Sequence, residues 1–240
     1  MMSSTLTVLA SSDIHAPKFL PQFRKALADA AASNPDLFIL AGDVVEKGKA
    51  EFCSYVSKAI EERFNVKIVG VYGNEEYDEV WPNLQNCGLE WINDQLLLLE
   101  LKGVKLAVVG TRGVLDRPTP WQERNIPGIA EIYAQRLKKL DTLLSKARSA
   151  ADTVMLVTHY PPLCNTIEGE PARFAPRMAS KRLLKIVLKN RVDVVVHGHL
   201  HKSRVHFDAE NGTKIYNVAF PAVGKIVKIE IRRQGLLRFM

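Results

Sequence analysis

The sequence predicts an α/β fold with four layers, an αββα sandwich in which two mixed β-sheets pack face to face with helices outside. Two observations indicate this class. The first half of the chain alternates apolar strands with amphipathic helices, and the last part consists of short strand-like runs. Because we find no repeat, no low-complexity segment and no linker, we expect one domain over residues 1–240.

Strand–helix–strand units make up the first half of the chain. The predicted strands and the helices between them are, in order, residues 5–11, 17–32, 36–42, 49–63 and 66–73. Strands joined through helices in this way pair in parallel, because each crossover returns the chain to the same end of the sheet. Their carboxyl ends are therefore expected to lie at one edge.

The rest of the chain adds further strands and two more helices. The elements predicted here are a hairpin at 95–110, helices at 129–150 and 178–190, and strands at 153–159 and 192–197. The tail is predicted to be β throughout, with an ENG turn signal and a final strand in 224–233. Two irregular loops, 114–128 and 161–177, are long enough to form a rim or lid.

The composition narrows the class of protein. The formal net charge of +7 fits either an anionic partner or a lysine-rich solvated surface. No segment is apolar for long enough to form a membrane helix, and the N-terminus is predicted to be a first strand, not a signal peptide. Since Cys53, Cys87 and Cys164 are scattered, we expect free thiols, no disulfide and a cytoplasmic location.

A polar cluster follows each strand of the α/β part. The clusters are Asp13-Ile14-His15, Gly42-Asp43, Gly73-Asn74-Glu75-Glu76, Thr158-His159-Tyr160 and the run HGHLH at 197–201. Each cluster alone has an ordinary explanation as a helix cap, a tight turn or a surface histidine. Together they are expected to meet in one crevice, because loops at the carboxyl ends of strands converge there in open α/β sheets.

The ordered motifs D-x-H, G-D, G-N, H and G-H-x-H resemble those of the calcineurin-like metallophosphoesterase family over residues 13–201. The resemblance implies two metal ions that share one carboxylate. The first ion would be held by Asp13, His15, Asp43 and His201. The second would be held by Asp43, Asn74, His159 and His199. Mixed histidine, carboxylate and amide ligands suit divalent transition metals, so we expect manganese first and leave iron, zinc, nickel and cobalt open.

The HGHLH run then has a purpose at the end of a core strand. Gly198 is expected to let the chain turn sharply, so that His199 and His201 face different ions. His197, one residue earlier, has two interpretations. It either contacts the metal ligands without binding an ion or is simply part of the core.

The same resemblance implies hydrolysis of phosphate esters by in-line attack of a hydroxide that bridges the two ions. The residues expected to be catalytic are Asp43, Asn74, His159 and Glu75. Glu75 departs from the family pattern, in which phosphatases often carry a histidine that protonates the leaving group. A carboxylate beside two cations is ionised and donates protons poorly, so we favour a phosphodiesterase. A Glu75 without any catalytic role fits the sequence equally well.

Arginines in and near the two long loops are candidates for substrate binding. They are Arg112, Arg124, Arg173 and Arg177. Arginine can clamp phosphate oxygens with two hydrogen bonds, and Trp121 or Phe174 could stack on a base. The expected substrate is therefore a small phosphorylated or nucleotide-like ester. The alternative for each residue is a solvated surface arginine or an aromatic side chain that anchors its own loop.

Two other functions are compatible with the sequence. A nuclease is compatible with the basic charge, but the aromatic residues do not interleave with a basic stripe, so nucleic acid is not the favoured partner. A non-catalytic interaction scaffold is the other alternative, and the complete set of ligand residues argues against it. The sequence leaves the oligomeric state undetermined.

Overall fold

The computed structural model describes residues 5–232, so residues 1–4 and 233–240 of the predicted domain lie outside the described residues. The strands are β1 (Thr5–Ser11), β2 (Leu37–Leu40), β3 (Lys67–Gly70), β4 (Glu90–Trp91), β5 (Gln95–Leu101), β6 (Val104–Thr111), β7 (Thr153–Thr158), β8 (Val194–His197), β9 (Phe207–Glu210), β10 (Thr213–Asn217) and β11 (Val227–Arg232). They form two sheets, in the orders β11-β1-β2-β3-β4 and β5-β6-β7-β8-β10-β9. Both sheets are mixed. The first has one antiparallel edge strand, β11, and the second has an antiparallel strand at each edge, β5 and β9.

Helices cover the outer face of each sheet. The helices are α1 (Leu20–Asp29), α2 (Cys53–Glu61), α3 (Trp81–Leu84), α4 (Pro120–Asn125), α5 (Ile129–Ala150), α6 (Lys181–Lys189) and α7 (Phe220–Val223). Phe23 of α1 and Ile60 of α2 lie in one apolar cluster with Phe38 of the first sheet. Leu140 of α5 lies in another cluster with Leu156 of the second sheet. None of the helices in residues 5–232 is long and apolar enough to cross a membrane.

A third apolar cluster lies between the two sheets. Val8 and Ile39 enter it from the first sheet, and Val108 and Val157 enter it from the second. All four side chains are fully buried. With the two outer clusters, this core confirms the predicted four-layer αββα sandwich, since each layer buries its apolar face against the next.

The strand register brings the polar clusters side by side. Ser11 pairs with Leu40, and Leu40 pairs with Gly70, so the first three clusters begin at the same edge of the first sheet. In the second sheet Thr158 pairs with His197, which aligns the last two clusters. Parallel pairing thus produces the crevice that the sequence predicts.

The longest elements agree with the sequence prediction, whereas β4, α3, α4 and α7 were not predicted. The helix predicted at 129–150 spans Ile129–Ala150, and the first strand spans Thr5–Ser11. The elements β4, α3, α4 and α7 are too short to show a periodic pattern. The prediction of an all-β tail is wrong at α7. Helix α4 could have been predicted, because Thr119 and Gln122 have the spacing of a capping box. In the structure the Thr119 hydroxyl accepts a hydrogen bond from the Gln122 backbone N–H.

The prediction that all three cysteines are free thiols is wrong. Cys53 at the start of α2 and Cys87 after α3 form a disulfide, with Cα atoms 5.6 Å apart. Residues 34 positions apart in sequence meet because both segments pack on the outer face of the first sheet. Cys164 is free. The expectation of a cytoplasmic location was based on three free thiols, and two of these cysteines form a disulfide.

Candidate metal centre

The side chains of the polar clusters lie in a largely buried crevice at the carboxyl ends of the central strands. Asp13 and His159 are fully buried, and Asp43 is 1% exposed. A carboxylate is expensive to bury unless cations or hydrogen bonds compensate its charge. The crevice therefore has the properties of a cation site and not of an ordinary part of the core.

One group of donors consists of Asp13, His15 and His201. His201 Nε2 lies 2.7 Å from Asp13 Oδ1, and His15 Nε2 lies 3.9 Å from the same oxygen. The two histidine nitrogens are 3.5 Å apart. One donor atom of each residue lies within 4.8 Å of the others, so these residues can hold a metal ion together.

Asp43 connects this group to a second set of donors. Its Oδ2 lies 3.9 Å from His15 Nε2 on one side and 3.5 Å from His159 Nε2 on the other. Asn74 Oδ1 lies 3.1 Å from the same His159 nitrogen. Asp13, Asp43 and His159 also form a close group of donors. The Asp43 carboxylate is thus placed between the two sets, where a bridging ligand has to be.

His199 and His197 differ in how close they come to these donors. The His199 ring lies 5.1 Å from the His159 ring and 4.9 Å from the Tyr160 ring, centre to centre, on the wall of the crevice. It belongs to neither close donor group. His197 is fully buried and its Nε2 lies 3.0 Å from the hydroxyl of Thr166 in the loop 161–177. It lies in the core behind the crevice.

The backbone at the crevice is strained. Asp13, His15, Asp43 and His199 all have left-handed φ angles, of 54°, 44°, 49° and 70°. Residues other than glycine rarely adopt this region, and such residues tend to cluster at functional sites. The rest of the fold therefore holds these side chains in orientations that an unconstrained chain would avoid.

Two glycines allow the loops to come this close. A side chain at Gly73 would overlap the carboxylate and the backbone nitrogen of Asp43. A side chain at Gly198 would overlap Asp13 Oδ2. The expectation that Gly198 makes the sharp turn is wrong, because the left-handed residue is His199. Gly198 is needed for space and not for conformational freedom.

Burial favours the neutral form of two histidines of the crevice, because it lowers the pKa of His159 to about 4 and that of His199 to about 3. At His201 the hydrogen bond and the charge of Asp13 outweigh burial and raise the pKa. A neutral imidazole has a lone pair available for a metal ion at pH 7. When the Nδ1 of His159 donates its hydrogen to the backbone oxygen of Ala41, 3.0 Å away, Nε2 is left as the ligand atom.

The carboxylates of the crevice repel one another. Burial raises the pKa of Asp43, and the nearby charges of Glu76 and Asp13 raise it further. Burial also raises the pKa of Glu76, to about 7. For Asp13, burial acts in the same direction, but the hydrogen bonds with His201 and Ser12 and the nearby His159 and His201 together outweigh it and lower the pKa. Divalent cations would relieve this repulsion.

Glu76, for which no role was predicted, is fully buried beside Asp43. Glu75 was predicted to be catalytic, and its Oε2 accepts a hydrogen bond of 2.7 Å from the backbone N–H of Lys47. The Glu75 backbone N–H donates to Asp43 Oδ1 at 2.8 Å. Two consecutive glutamates are visible in the sequence, but the pattern does not show which of them faces inward.

The four arginines predicted to bind substrate make hydrogen bonds or ring contacts within the protein. Arg112 is turned inward and donates to the backbone oxygen of Glu76 at 2.7 Å and to Asp78 at 2.9 Å. Arg124 and Arg177 donate to backbone oxygens of the loop 114–128. Arg173 lies over the ring of Phe174 with its guanidinium 4.7 Å from the ring centre.

The donor set fits divalent transition metals. Imidazole nitrogens, carboxylate oxygens and an amide oxygen converge in the crevice. This mixture suits manganese, iron, cobalt, nickel or zinc, whereas calcium prefers oxygen ligands alone. Asp13, His15 and His201 would hold one ion, Asn74, His159 and His199 the other, and Asp43 both.

Comparison with solved structures supports the fold. The phosphopantetheinyl hydrolase PptH from Mycobacterium tuberculosis is similar, with a TM-score of 0.62 and 17% identity over 93% of this chain and 95% of that chain. GAP50, described as the anchor in the inner membrane complex of Plasmodium, has a TM-score of 0.62 and 13% identity over 91% of this chain and 72% of its own. The protein TT1561 of Thermus thermophilus has a TM-score of 0.60 and 14% identity over 94% of this chain and 99% of its own.

The sequence itself gives the family. No curated protein sequence matches the chain. The model of the calcineurin-like phosphoesterases, however, matches residues 6–203, a range that contains every candidate metal ligand. The chain therefore belongs to the calcineurin-like phosphoesterase family, a family of dinuclear-metal hydrolases of phosphoester bonds.

Proposed function

We propose that this protein is a dinuclear-metal phosphodiesterase. One observation carries the proposal. The carboxylate of Asp43 lies between His15 and His159, with its Oδ2 3.9 and 3.5 Å from their Nε2 atoms. One side chain in this position can serve two ions at once, which a two-metal centre requires.

The residues of the crevice have different roles in the proposed reaction. When bound, two divalent ions generate a nucleophile at neutral pH and polarise the phosphoryl oxygens. Asp43 fixes the spacing of the pair. His159 and Asn74 lie on one side of it and His15 on the other. Manganese is the metal we propose, with iron, zinc, nickel and cobalt as alternatives.

The side chain at position 75 supports diester hydrolysis. Glu75 accepts a hydrogen bond from the backbone N–H of Lys47, so its carboxylate is committed to a loop and does not offer a proton. Hydrolysis of an alkyl phosphate ester expels a strongly basic alkoxide, which benefits from a proton donor. We therefore propose diesters and esters with good leaving groups as substrates.

Aromatic and basic side chains on the two long loops suggest which group the substrate carries next to the reacting phosphate. Trp121 is 57% exposed and Phe174 is 40% exposed. Arg124 and Arg173 are their neighbours in the same loops. Stacking of a base on an exposed ring, with arginine close by, is a common way to bind nucleotides. We propose a small nucleotide-like ester, and we propose no substrate contact for Arg112 and Arg177.

These loops are fixed to the crevice, which favours a rim over a lid. Gln122 donates a hydrogen bond of 3.1 Å to the hydroxyl of Tyr160, the residue after His159. The two loops also bind each other, because the Arg117 backbone N–H donates to the backbone oxygen of Pro176 at 2.7 Å. The rim is therefore present before substrate binds.

Metal-dependent hydrolysis tests the proposed function. The protein is stripped with a chelator and then given Mn, Fe, Zn, Ni, Co or Mg separately. Each form is assayed on bis(p-nitrophenyl) phosphate, on p-nitrophenyl phosphate and on the p-nitrophenyl ester of thymidine 5′-phosphate. We expect turnover that depends on the added transition metal, a preference for the two diesters, and the lowest KM for the nucleotide ester. Preference for the monoester would contradict the phosphodiesterase assignment.

The Glu75→Gln variant serves as a control in this assay. It is expected to bind the ions as the parent does, because the Glu75 carboxylate contacts the backbone of Lys47 and not the donor groups. A changed ratio of diester to monoester turnover would show that Glu75 contributes to substrate preference. An unchanged ratio would assign it a structural role only.

The fold alone does not separate an enzyme from a scaffold. A hydrolase and a protein described as an anchor share it with this chain at the same TM-score of 0.62. The complete donor set favours the enzyme, because a scaffold has no need of a buried, strained group of metal ligands. Two bound ions without turnover on any of the three substrates would favour the scaffold.

A further inference from the structure

We propose that Glu76 is a positioning residue that holds the two metal-binding loops of the first sheet at a fixed distance. It would touch neither ion. Its buried carboxylate would set the place of Asp43 relative to Asn74, and so allow one carboxylate to serve both ions. The inference rests on the proposed two-metal function and adds a residue to it.

The hydrogen bonds of the Glu76 carboxylate join the two loops directly. Its Oε2 accepts from the backbone N–H of Asp43 at 2.9 Å and of Gly73 at 2.7 Å. Its Oε1 accepts from the backbone N–H of Val45 at 3.0 Å. Asp43 and Val45 follow strand β2, and Gly73 precedes Asn74 after strand β3. One side chain therefore fixes the backbone on both sides of the gap.

Glu76 is itself held from the second sheet. The Arg112 guanidinium and the Trp81 indole N–H both donate to its backbone oxygen, at 2.7 and 3.0 Å. Arg112 lies over the Trp81 ring, and Trp81 stacks on Tyr72 at 4.4 Å between ring centres. Since Arg112 follows β6, this contact links the Glu76 loop to the other half of the sandwich. It also gives Arg112 a purpose other than substrate binding.

Only a carboxylate can satisfy this arrangement. Three backbone N–H groups point at two oxygens. A glutamine has one acceptor oxygen, and its NH₂ group would face at least one of these N–H donors. When the Glu76 carboxylate is ionised, these hydrogen bonds are charge-assisted and about twice as strong as neutral ones. A buried glutamate at this place is therefore suited to fixing a backbone.

The test compares Glu76→Gln with Glu79→Gln, a change of the same chemistry at a nearby exposed residue. Apo protein is titrated with Co²⁺ by calorimetry, at a temperature well below the Tm of every variant, and the visible spectrum of bound Co²⁺ is recorded. We expect Glu76→Gln to lose about 10- to 100-fold in affinity, as for other residues that orient metal ligands. We also expect its Co²⁺ spectrum to change. Glu79→Gln should bind two ions with the affinity and spectrum of the parent.

Two results would overturn the inference. One is a Glu76→Gln variant that is folded and binds two Co²⁺ ions with the parent affinity and spectrum, even if its Tm is lower. If Glu76→Gln does not fold, Arg112→Lys decides, because it loosens the Glu76 backbone without altering the carboxylate. Parent-like binding by Arg112→Lys would then refute the inference. A parent protein that binds fewer than two ions would refute the proposed function and this inference together.

Discussion

Replacing Asp43 with asparagine is expected to leave the protein folded but nearly inactive. Asparagine retains the shape of the side chain, yet it removes the charge that two ions would share. The loss of several kcal/mol of charge stabilisation in the transition state corresponds to a fall in kcat of about 10³-fold or more. Turnover of bis(p-nitrophenyl) phosphate at saturating metal, with circular dichroism as the check on folding, measures this effect.

The reason for so large an effect lies in the position of Asp43. Its carboxylate is 1% exposed and approaches both sets of donors. Asp29→Asn is a matched control, since Asp29 lies exposed at the end of α1. That variant should keep the parent turnover. Full turnover of Asp43→Asn at saturating metal would refute the two-metal assignment.

Replacing Gly73 with alanine is expected to destroy metal binding and to lower the stability of the protein. The new methyl group would overlap the carboxylate and the backbone nitrogen of Asp43. Overpacking in a well-packed core costs about 1–3 kcal/mol. Because the atoms that must move are those of the bridging ligand, the damage extends to the site itself. Thermal unfolding of the apo protein and a Co²⁺ titration measure the two effects.

Gly103→Ala separates these two effects. Gly103 lies in the hairpin between β5 and β6 with φ of 74°, and an added side chain would contact nothing within 4 Å. Alanine there costs about 1–2 kcal/mol of backbone strain and leaves the crevice alone. It should lower the Tm without changing Co²⁺ binding. Parent-like Co²⁺ binding by Gly73→Ala would show that the loops have more room than the structure gives them.

The architecture was predictable where the sequence is periodic over many residues. Helix α5 repeats its apolar positions over 22 residues, and both of its ends agree with the prediction. Strand β4, at two residues, carries no period at all. The disulfide between Cys53 and Cys87 is invisible for a different reason, because only packing brings these residues together.

The candidate site was predictable as far as linear motifs reach. Asp13 and Asp43 follow neighbouring parallel strands of the first sheet, and His159 follows a strand of the second sheet, which packs against the first. Glu76 and Arg112 could not be interpreted in this way. Their roles depend on the direction of the side chain. From the sequence, Glu75 could face the site as well as Glu76, and Arg112 could equally lie on the surface.

The most direct test of the two-metal centre is to locate the ions themselves. Crystals grown from protein reconstituted with manganese would be measured at a wavelength where manganese scatters anomalously. We expect two peaks in each chain, one beside Asp13, His15 and His201 and one beside Asn74, His159 and His199, with the Asp43 carboxylate between them. A single peak, or peaks that Asp43 does not touch, would contradict the assignment of a shared bridging carboxylate.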